Sequence, residues 1–217
     1  MTELMVLFAT AQNYVETYYM EELETVEKFL EINPEDIDKQ FFYAQYTHVV
    51  YCSGFRWSVV VEKWPRIERA YRNFDAEAVK RNRDQVQAEA SLIINHKGKI
   101  KAILDTAEWL TNVSPEYLTR FIKDASQNID MFKRLGYIGD ITKYHLGLCM
   151  GFDIAKPDVH IQRLADRFNM DPFQMCKQIA GETGLTVRKV DAILWRAAEQ
   201  GAIRVSSDKH RTEVSEC

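Results

Sequence analysis

Apolar side chains recur every three to four residues along most of this chain, the spacing of amphipathic helices, and no stretch alternates in the two-residue period of a strand. Residues 3–30 read as one helix in which Leu4, Phe8, Tyr14, Tyr18 and Tyr19 stand among acids. Asn33-Pro34-Glu35 is a helix start, because proline is tolerated at the first helical position, and a helix is expected over 35–51. Ser53-Gly54 breaks it. A stretch from Trp57 to Lys63 should end at Trp64-Pro65, where a new helix runs to about Asn73, and Phe74-Asp75 caps a short one. Helices over 84–94 and 97–111 flank Asn95-His96-Lys97-Gly98, and Ser114-Pro115 opens another. Two more, over 126–134 and 140–150, are separated by Leu135-Gly136-Tyr137-Ile138-Gly139, and Gly151 ends the second. Lys156-Pro157-Asp158 begins a helix reaching about Asn169, Asp171-Pro172 begins the next, and Thr186 caps a last one that stops before Gly201. The pattern predicts an all-α protein. Residues 1–203 are expected to form one domain of two helical lobes sharing a cleft, followed by a polar, disordered tail over 204–217.

Composition sharpens this picture. At 46% apolar, the 217-residue chain carries too much hydrophobic material for a disordered protein. Its net charge of −4 is unlike a nucleic-acid binder, but the charge is unevenly spread. Residues 1–50 hold two basic and ten acidic side chains, leaving +4 on the remainder, and attraction to phosphate depends on local potential. Cys52, Cys149, Cys176 and Cys217 form no C-x-x-C pair. They are expected to be reduced, mostly as buried apolar fillers, and no metal centre is expected. No signal peptide is visible and no apolar run is long enough for a bilayer, so the expected compartment is the cytosol.

Two segments carry chemistry. In LGYIGDITKYHL, Leu135 to Leu146, a short loop with glycine near both ends joins two amphipathic helices. The amides opening the second helix are unpaired by construction and can receive a phosphate oxygen, with Lys143 one turn further on. The ordinary reading is a plain αα-hairpin. In AKPDVHIQRL, Ala155 to Leu164, Pro157 marks a turn and Asp158 sits at a helix start. The ordinary role of an aspartate there is to cap the helix. The catalytic role is to stabilise positive charge on a deoxyribose and to deprotonate water.

Taken together, the hairpin and the Pro-Asp turn about twenty residues later resemble the helix-hairpin-helix DNA glycosylase superfamily. Leu135, Ile138 and Gly139 match its L-P-G-[VI]-G hairpin, while Gly136 and Tyr137 depart from it. Pro157-Asp158-Val159-His160-Ile161-Gln162-Arg163 is similar to its V-D-[TV]-[HN]-[VI]-x-R turn, and the resemblance assigns catalysis to Asp158. Members with lyase activity use a lysine on the helix after the hairpin. Ile141 stands at that site and Lys143 lies about 200° around the helix from it, so a monofunctional enzyme is expected. The iron–sulfur cysteines of some members are absent. A second resemblance, from Gly54 to Leu110, is to the 3-methyladenine DNA glycosylase I family. It rests on Gly54-Phe55-Arg56-Trp57 through Lys63, on Asn73-Phe74-Asp75, and on Ile93-Ile94-Asn95-His96-Lys97-Gly98-Lys99-Ile100. Val49 stands where that family places its base-reading glutamate, and the family's terminal Cys/His zinc site has no counterpart.

These resemblances imply an enzyme whose DNA-binding cleft lies between two lobes. Gly136, Ile138, Gly139 and Lys143 of the hairpin, with Lys97, Gly98 and Lys99, are expected at DNA phosphates. An everted base must be stacked and read at its edge, for which Gln45, Tyr46, His48, Phe55, Arg56 and Trp57 are the candidates, with Tyr43 beside them. Tyr137 is a candidate wedge. No cofactor is expected beyond a monovalent cation at the hairpin. The expected partner is double-stranded DNA with a flipped base, bound by a monomer. The substrate is either a damaged base, as in DNA repair, or an enzymatically modified one, as in defence against phages; superfamily members tied to hypermodified phage DNA carry similar K-P-D-x-H turns. The alternatives are a DNA-binding module without catalysis and a pyrophosphorylase-like enzyme of base hypermodification.

Overall fold

A computed structural model describes residues 1–204, and these are all-helical, with no strand among them. No helix of the described residues is long and apolar enough to cross a membrane. The chain divides into two compact units, one made of Met1–Glu31 with the segment from Asp153 onward, the other of Ile32–Phe152.

The first unit is built on its last helix. Helices α1 (Glu3–Tyr18) and α2 (Met20–Leu30) pack with α10 (Val159–Arg167) and α11 (Pro172–Thr183) around α12 (Val187–Glu199). Phe8, Ala11 and Val15 of α1 meet Val190, Ile193, Leu194 and Ala197 of α12, all of them at most 1% exposed. Ion pairs between Arg196 and Glu22, Lys189 and Glu27, and Arg167 and Glu3 join the two ends of the chain in this unit. The single helix expected over 3–30 is two helices, because Tyr19 leaves helical geometry at φ −139°. The expected tail over 204–217 lies, apart from Arg204, outside the described residues.

The second unit is organised by α3 (Lys39–Cys52), whose buried side chains include Phe42, Tyr43, Tyr46, Val49 and Val50. Its start is set by Asp38, which accepts from the Phe41 amide, rather than by Asn33-Pro34; the Asn33 side chain donates its Nδ2 to the Asp36 carboxylate instead. Around α3 lie α4 (Trp57–Ala70), α5 (Ala76–Arg81), α6 (Arg83–Ser91), α7 (Lys97–Asn112), α8 (Pro115–Gln127) and α9 (Thr142–Cys149). Tyr43 donates its hydroxyl to the Ile103 carbonyl of α7 at 3.1 Å, which fixes α7 against α3 from the inside.

Three local expectations fail here for physical reasons. Helix α4 runs straight through Pro65 instead of breaking, because Val60 and Ile67 on either side are both buried and hold it in place. Arg72, Asn73 and Phe74 form a turn with φ between 52° and 60°, a left-handed conformation held by Gln40 on the Asn73 carbonyl and by a bidentate Arg72–Glu89 pair. In place of the helix expected over 126–134, α8 runs on to Gln127 and residues Ile129–Arg134 wind as a 3-10 helix, since Asn128 interrupts and its side chain caps Asp130.

The continuous α4 yields a test. Pro65 removes the bond that would reach the Val61 carbonyl, so Pro65→Ala restores it and should raise unfolding stability by about 1–3 kcal/mol in a urea titration.

Candidate active site

In the second unit the structure brings together the two sequence blocks expected at DNA phosphate. The hairpin 135–139 lies beside the start of α7. The Tyr137 ring sits edge-on to His96 with centroids 5.6 Å apart, and a Cβ built on Gly98 would collide with the Tyr137 hydroxyl. Gly98 is therefore glycine for room: its missing side chain leaves the space that the tyrosine fills. The hairpin's left-handed residue is Tyr137 itself, at φ 61°, while neither Gly136 nor Gly139 takes positive φ. The loop keeps a glycine-like conformation at the motif's middle position and carries a tyrosine there, at a cost of roughly 1–2 kcal/mol. Gly136 is needed for a close approach, since a Cβ there would stand 2.9 Å from the Ala102 side chain.

Several expected contacts turn inward. Tyr46, expected in a base pocket, is fully buried and donates its hydroxyl to the Gly136 carbonyl at 2.7 Å, so it is a support of the hairpin. Lys99, expected at phosphate, is 3% exposed and donates its ammonium to the Val50 and Ser53 carbonyls at the end of α3. Burial lowers its pKa. Lys143, also expected at phosphate, is 8% exposed and pairs with Asp130 at 2.7 Å. Lys143 and Lys133 hold the Asp130 carboxyl below the usual range. Tyr43 is core. What stays outward is backbone and a few side chains. Helix α9 begins at Thr142 rather than directly after Gly139, whose amide is taken by the Thr142 hydroxyl at 2.7 Å. The amides of Asp140, Ile141 and Thr142 meet no acceptor among the described residues. Lys97 is exposed, as are Phe55, Arg56 and Trp57 ahead of and at the start of α4, while Gln45 is half-buried. Phe55 lies near the same cluster, its ring 6.5 Å from His96 and 5.2 Å from the Lys99 ammonium.

Asp158 belongs to the first unit, and there the Pro-Asp turn builds a small charged site. The residue caps α10: its Oδ1 accepts from the amides of His160 and Ile161 at 3.0 and 3.2 Å. Its Oδ2 faces the Lys156 ammonium at 3.5 Å, and the side chain keeps 15% exposure. The cap thus engages one oxygen by two backbone bonds and leaves the second to a side-chain ion pair. Behind the turn lies an acid that sequence reading did not single out. Asp191 of α12 is 6% exposed and accepts from the Lys156 amide at 2.9 Å, fixing the residue two before Asp158. Burial pushes the Asp191 carboxyl up to about 7, and the negative charge of Asp158 adds to that. His160 contributes a buried Nδ1 with no partner among the described residues.

The model of the methyladenine glycosylase family matches residues 33–144, more than half of the chain. The chain belongs to the methyladenine glycosylase family. No curated protein and no solved structure matches it. The match covers nearly all of the second unit, from the turn before α3 to the opening of α9, and it stops short of Asp158. On α3, Val49, where the resemblance implies a base-reading glutamate, is fully buried. One turn's face of the same helix shows a cluster that the sequence reading passed over. His48 and Cys52 on α3, and His145 and Cys149 on α9, are each four residues apart, so each pair shares one helix face. The signal was present in the spacing, but only packing α3 against α9 joins the two pairs.

Two measurements probe these local arrangements. Gly98→Ala should destabilise the protein by about 1–3 kcal/mol by displacing the Tyr137 ring, and the same change made in a Tyr137→Ala background should cost much less, as a double-mutant cycle in denaturant would record. For Asp191, a folded pKa above the unfolded 3.8 means that the fold prefers the protonated acid, so its contribution to stability is full below about pH 4 and is lost as pH rises through about 7. Asp191→Asn keeps an acceptor for the Lys156 amide. Its thermal midpoint should match the parent near pH 4 and exceed it increasingly up to pH 7–8.

Proposed function

We propose that this member of the methyladenine glycosylase family is a monofunctional DNA glycosylase that hydrolyses the N-glycosidic bond of a damaged or modified base and leaves an abasic site. The observation that carries the reading is the state of Asp158. One carboxylate oxygen is immobilised by two amides, and the other is directed to a cation 3.5 Å away. A carboxylate so oriented suits the positive charge that builds on the sugar as the base leaves, and it suits accepting a proton from the attacking water. Lys156 and Asp191 act on its position: the first pairs with it and the second holds the Lys156 backbone.

The reading without a lyase step rests on the hairpin. Ile141 occupies the position of the Schiff-base lysine, the nearby Lys143 is buried against Asp130, and the exposed Lys133 is paired with Asp130 and Asp140. Phosphate binding is assigned to the hairpin backbone, Gly136, Ile138 and Gly139 with the open amides of 140–142, and to Lys97 and Gly98. The residues proposed to meet an everted base are Gln45, Phe55, Arg56 and Trp57. With Val49 in the core where a carboxylate would read a cationic alkylated purine, a modified base such as those of phage DNA fits better than methyladenine itself.

Asparagine caps helices as well as aspartate does, so Asp158→Asn separates capping from catalysis. The variant should keep its thermal midpoint within a degree or two (~0.5 kcal/mol) while single-turnover base release, followed by mass spectrometry on damaged and glucosylated or hydroxymethylated duplexes, falls roughly a hundredfold or more. Base release that survives unchanged in the variant would sink the assignment. Pyrophosphate release, or binding with no released base from any duplex, would replace the reaction itself.

A further inference from the structure

The half-buried face between α3 and α9 gathers two imidazoles and a thiol, and it takes in His48, which was a candidate for reading a base edge. His48, His145 and Cys149 each present a ligand atom, and these atoms all lie within 4.8 Å of one another. The imidazoles of His48 and His145 stand 5.9 Å apart, centroid to centroid, at a steep mutual angle, and Trp64 of α4 packs edge-on against His48 at 5.2 Å. Cys149 is 7% exposed. Cys52, one turn from His48, places its sulfur 3.4 Å from His48 Nε2.

We propose that His48, His145 and Cys149 form a zinc site that clasps α9 to α3. Two imidazole nitrogens and one thiolate are the donor set that borderline-soft divalent zinc prefers. In a tetrahedral zinc centre such donors stand about 3.3–3.6 Å apart, so a side-chain adjustment of about 1 Å, well within χ rotation, closes the present cluster onto an ion. Binding releases the Cys149 thiol proton to solvent and leaves both imidazoles neutral. The fourth position is left to water. Cys52, through its contact with His48 Nε2, serves to orient the ring so that its other nitrogen meets the ion. Each helix supplies its residues from one face, and α9 is the second helix of the hairpin, so the ion would tie the DNA-facing loop to the α3 core. The residues lie in mid-chain helices, apart from the terminal Cys/His set that the family resemblance would imply. The proposal does not depend on the glycosylase reading, and its test needs no substrate.

The experiment is a titration of the purified, chelator-stripped full chain with cobalt(II), then with zinc. The expected result is one cobalt per chain, with the intense visible bands of a tetrahedral site and a thiolate charge-transfer band, both bleached by one equivalent of zinc. Cys149→Ser should remove the charge-transfer band, His48→Gln and His145→Gln should reduce the bound metal to below detection, and Cys52→Ser should retain one equivalent. Circular dichroism reports whether each variant is folded; should one unfold, the wild-type cobalt spectrum decides alone. Weak octahedral bands from the wild-type chain, a tetrahedral spectrum untouched by Cys149→Ser, or loss of metal in Cys52→Ser would overturn the three-residue assignment.

Discussion

A buried ammonium with no carboxylate beside it holds the second unit together. Lys99 reaches the last-turn carbonyls of α3 at Val50 and Ser53, which would otherwise be unpaired acceptors at a helix end inside the protein. Burying a charge costs several kcal/mol unless hydrogen bonds replace its water, and here the carbonyl end of the α3 dipole supplies both the bonds and the complementary potential. The consequence reaches the surface. With Lys99 anchored at the end of α3, Gly98 and His96 stand where the Tyr137 ring lies over them, and Tyr46, about two turns back along the same helix, holds the Gly136 carbonyl. The hairpin is therefore positioned from below by a lysine cap and a tyrosine hydroxyl, and the exposed Phe55, Arg56 and Trp57 follow directly after the capped helix end.

What could be read from the sequence was what is decided locally. Helix starts at Ser114, Asp158, Asp171 and Thr186 stand where their side-chain chemistry puts them, each accepting from amides two or three residues on. The failures needed tertiary information. Pro65 sits inside a helix because two buried neighbours outweigh its missing bond, and the left-handed turn at 72–74 exists because Gln40 and Glu89, distant in sequence, hold it. The same division runs through the candidate site. Asp158 is visible in a seven-residue motif, whereas the inward course of Lys99, Lys143 and Tyr46 depends on which carbonyl or carboxylate lies beneath each of them. Asp191 escaped notice for the same reason, and the histidine–cysteine pairs, though visible in their four-residue spacing, gain meaning only from each other across two helices far apart in the chain.

In the first unit the electrostatics are arranged around one lysine. Lys156 gives its ammonium to Asp158 and its backbone amide to Asp191, so two acids are organised by a single residue through two different groups. Two full negative charges in that space would repel. Raising the Asp191 carboxyl to about 7 lets it carry a proton for part of the time near neutrality, which lowers the repulsion felt by Asp158 without removing the acceptor that fixes the turn. A second acid held partly neutral in this way is a positioning device, because it contributes a hydrogen-bond acceptor in either protonation state.

Membership of the methyladenine glycosylase family fixes the scaffold and leaves the base open, and the physical reason lies in α3. A base-reading carboxylate there requires a helix face turned toward solvent at position 49, whereas in this chain Val49 is sealed among Tyr43, Tyr46 and Val50, all fully buried. Exchanging an acid for valine converts a polar reading position into core and removes the charge that would favour a cationic base. On the reading proposed above, recognition shifts to groups that still face outward, the aromatic and basic side chains after the Lys99-capped end of the helix. Aromatic faces stack any base, so discrimination there must come from Arg56, Gln45 and the shape of the stack rather than from a buried charge. The proposed preference for a bulky or polar substituent over a bare methyl group therefore rests on the few exposed residues around the α3–α4 turn.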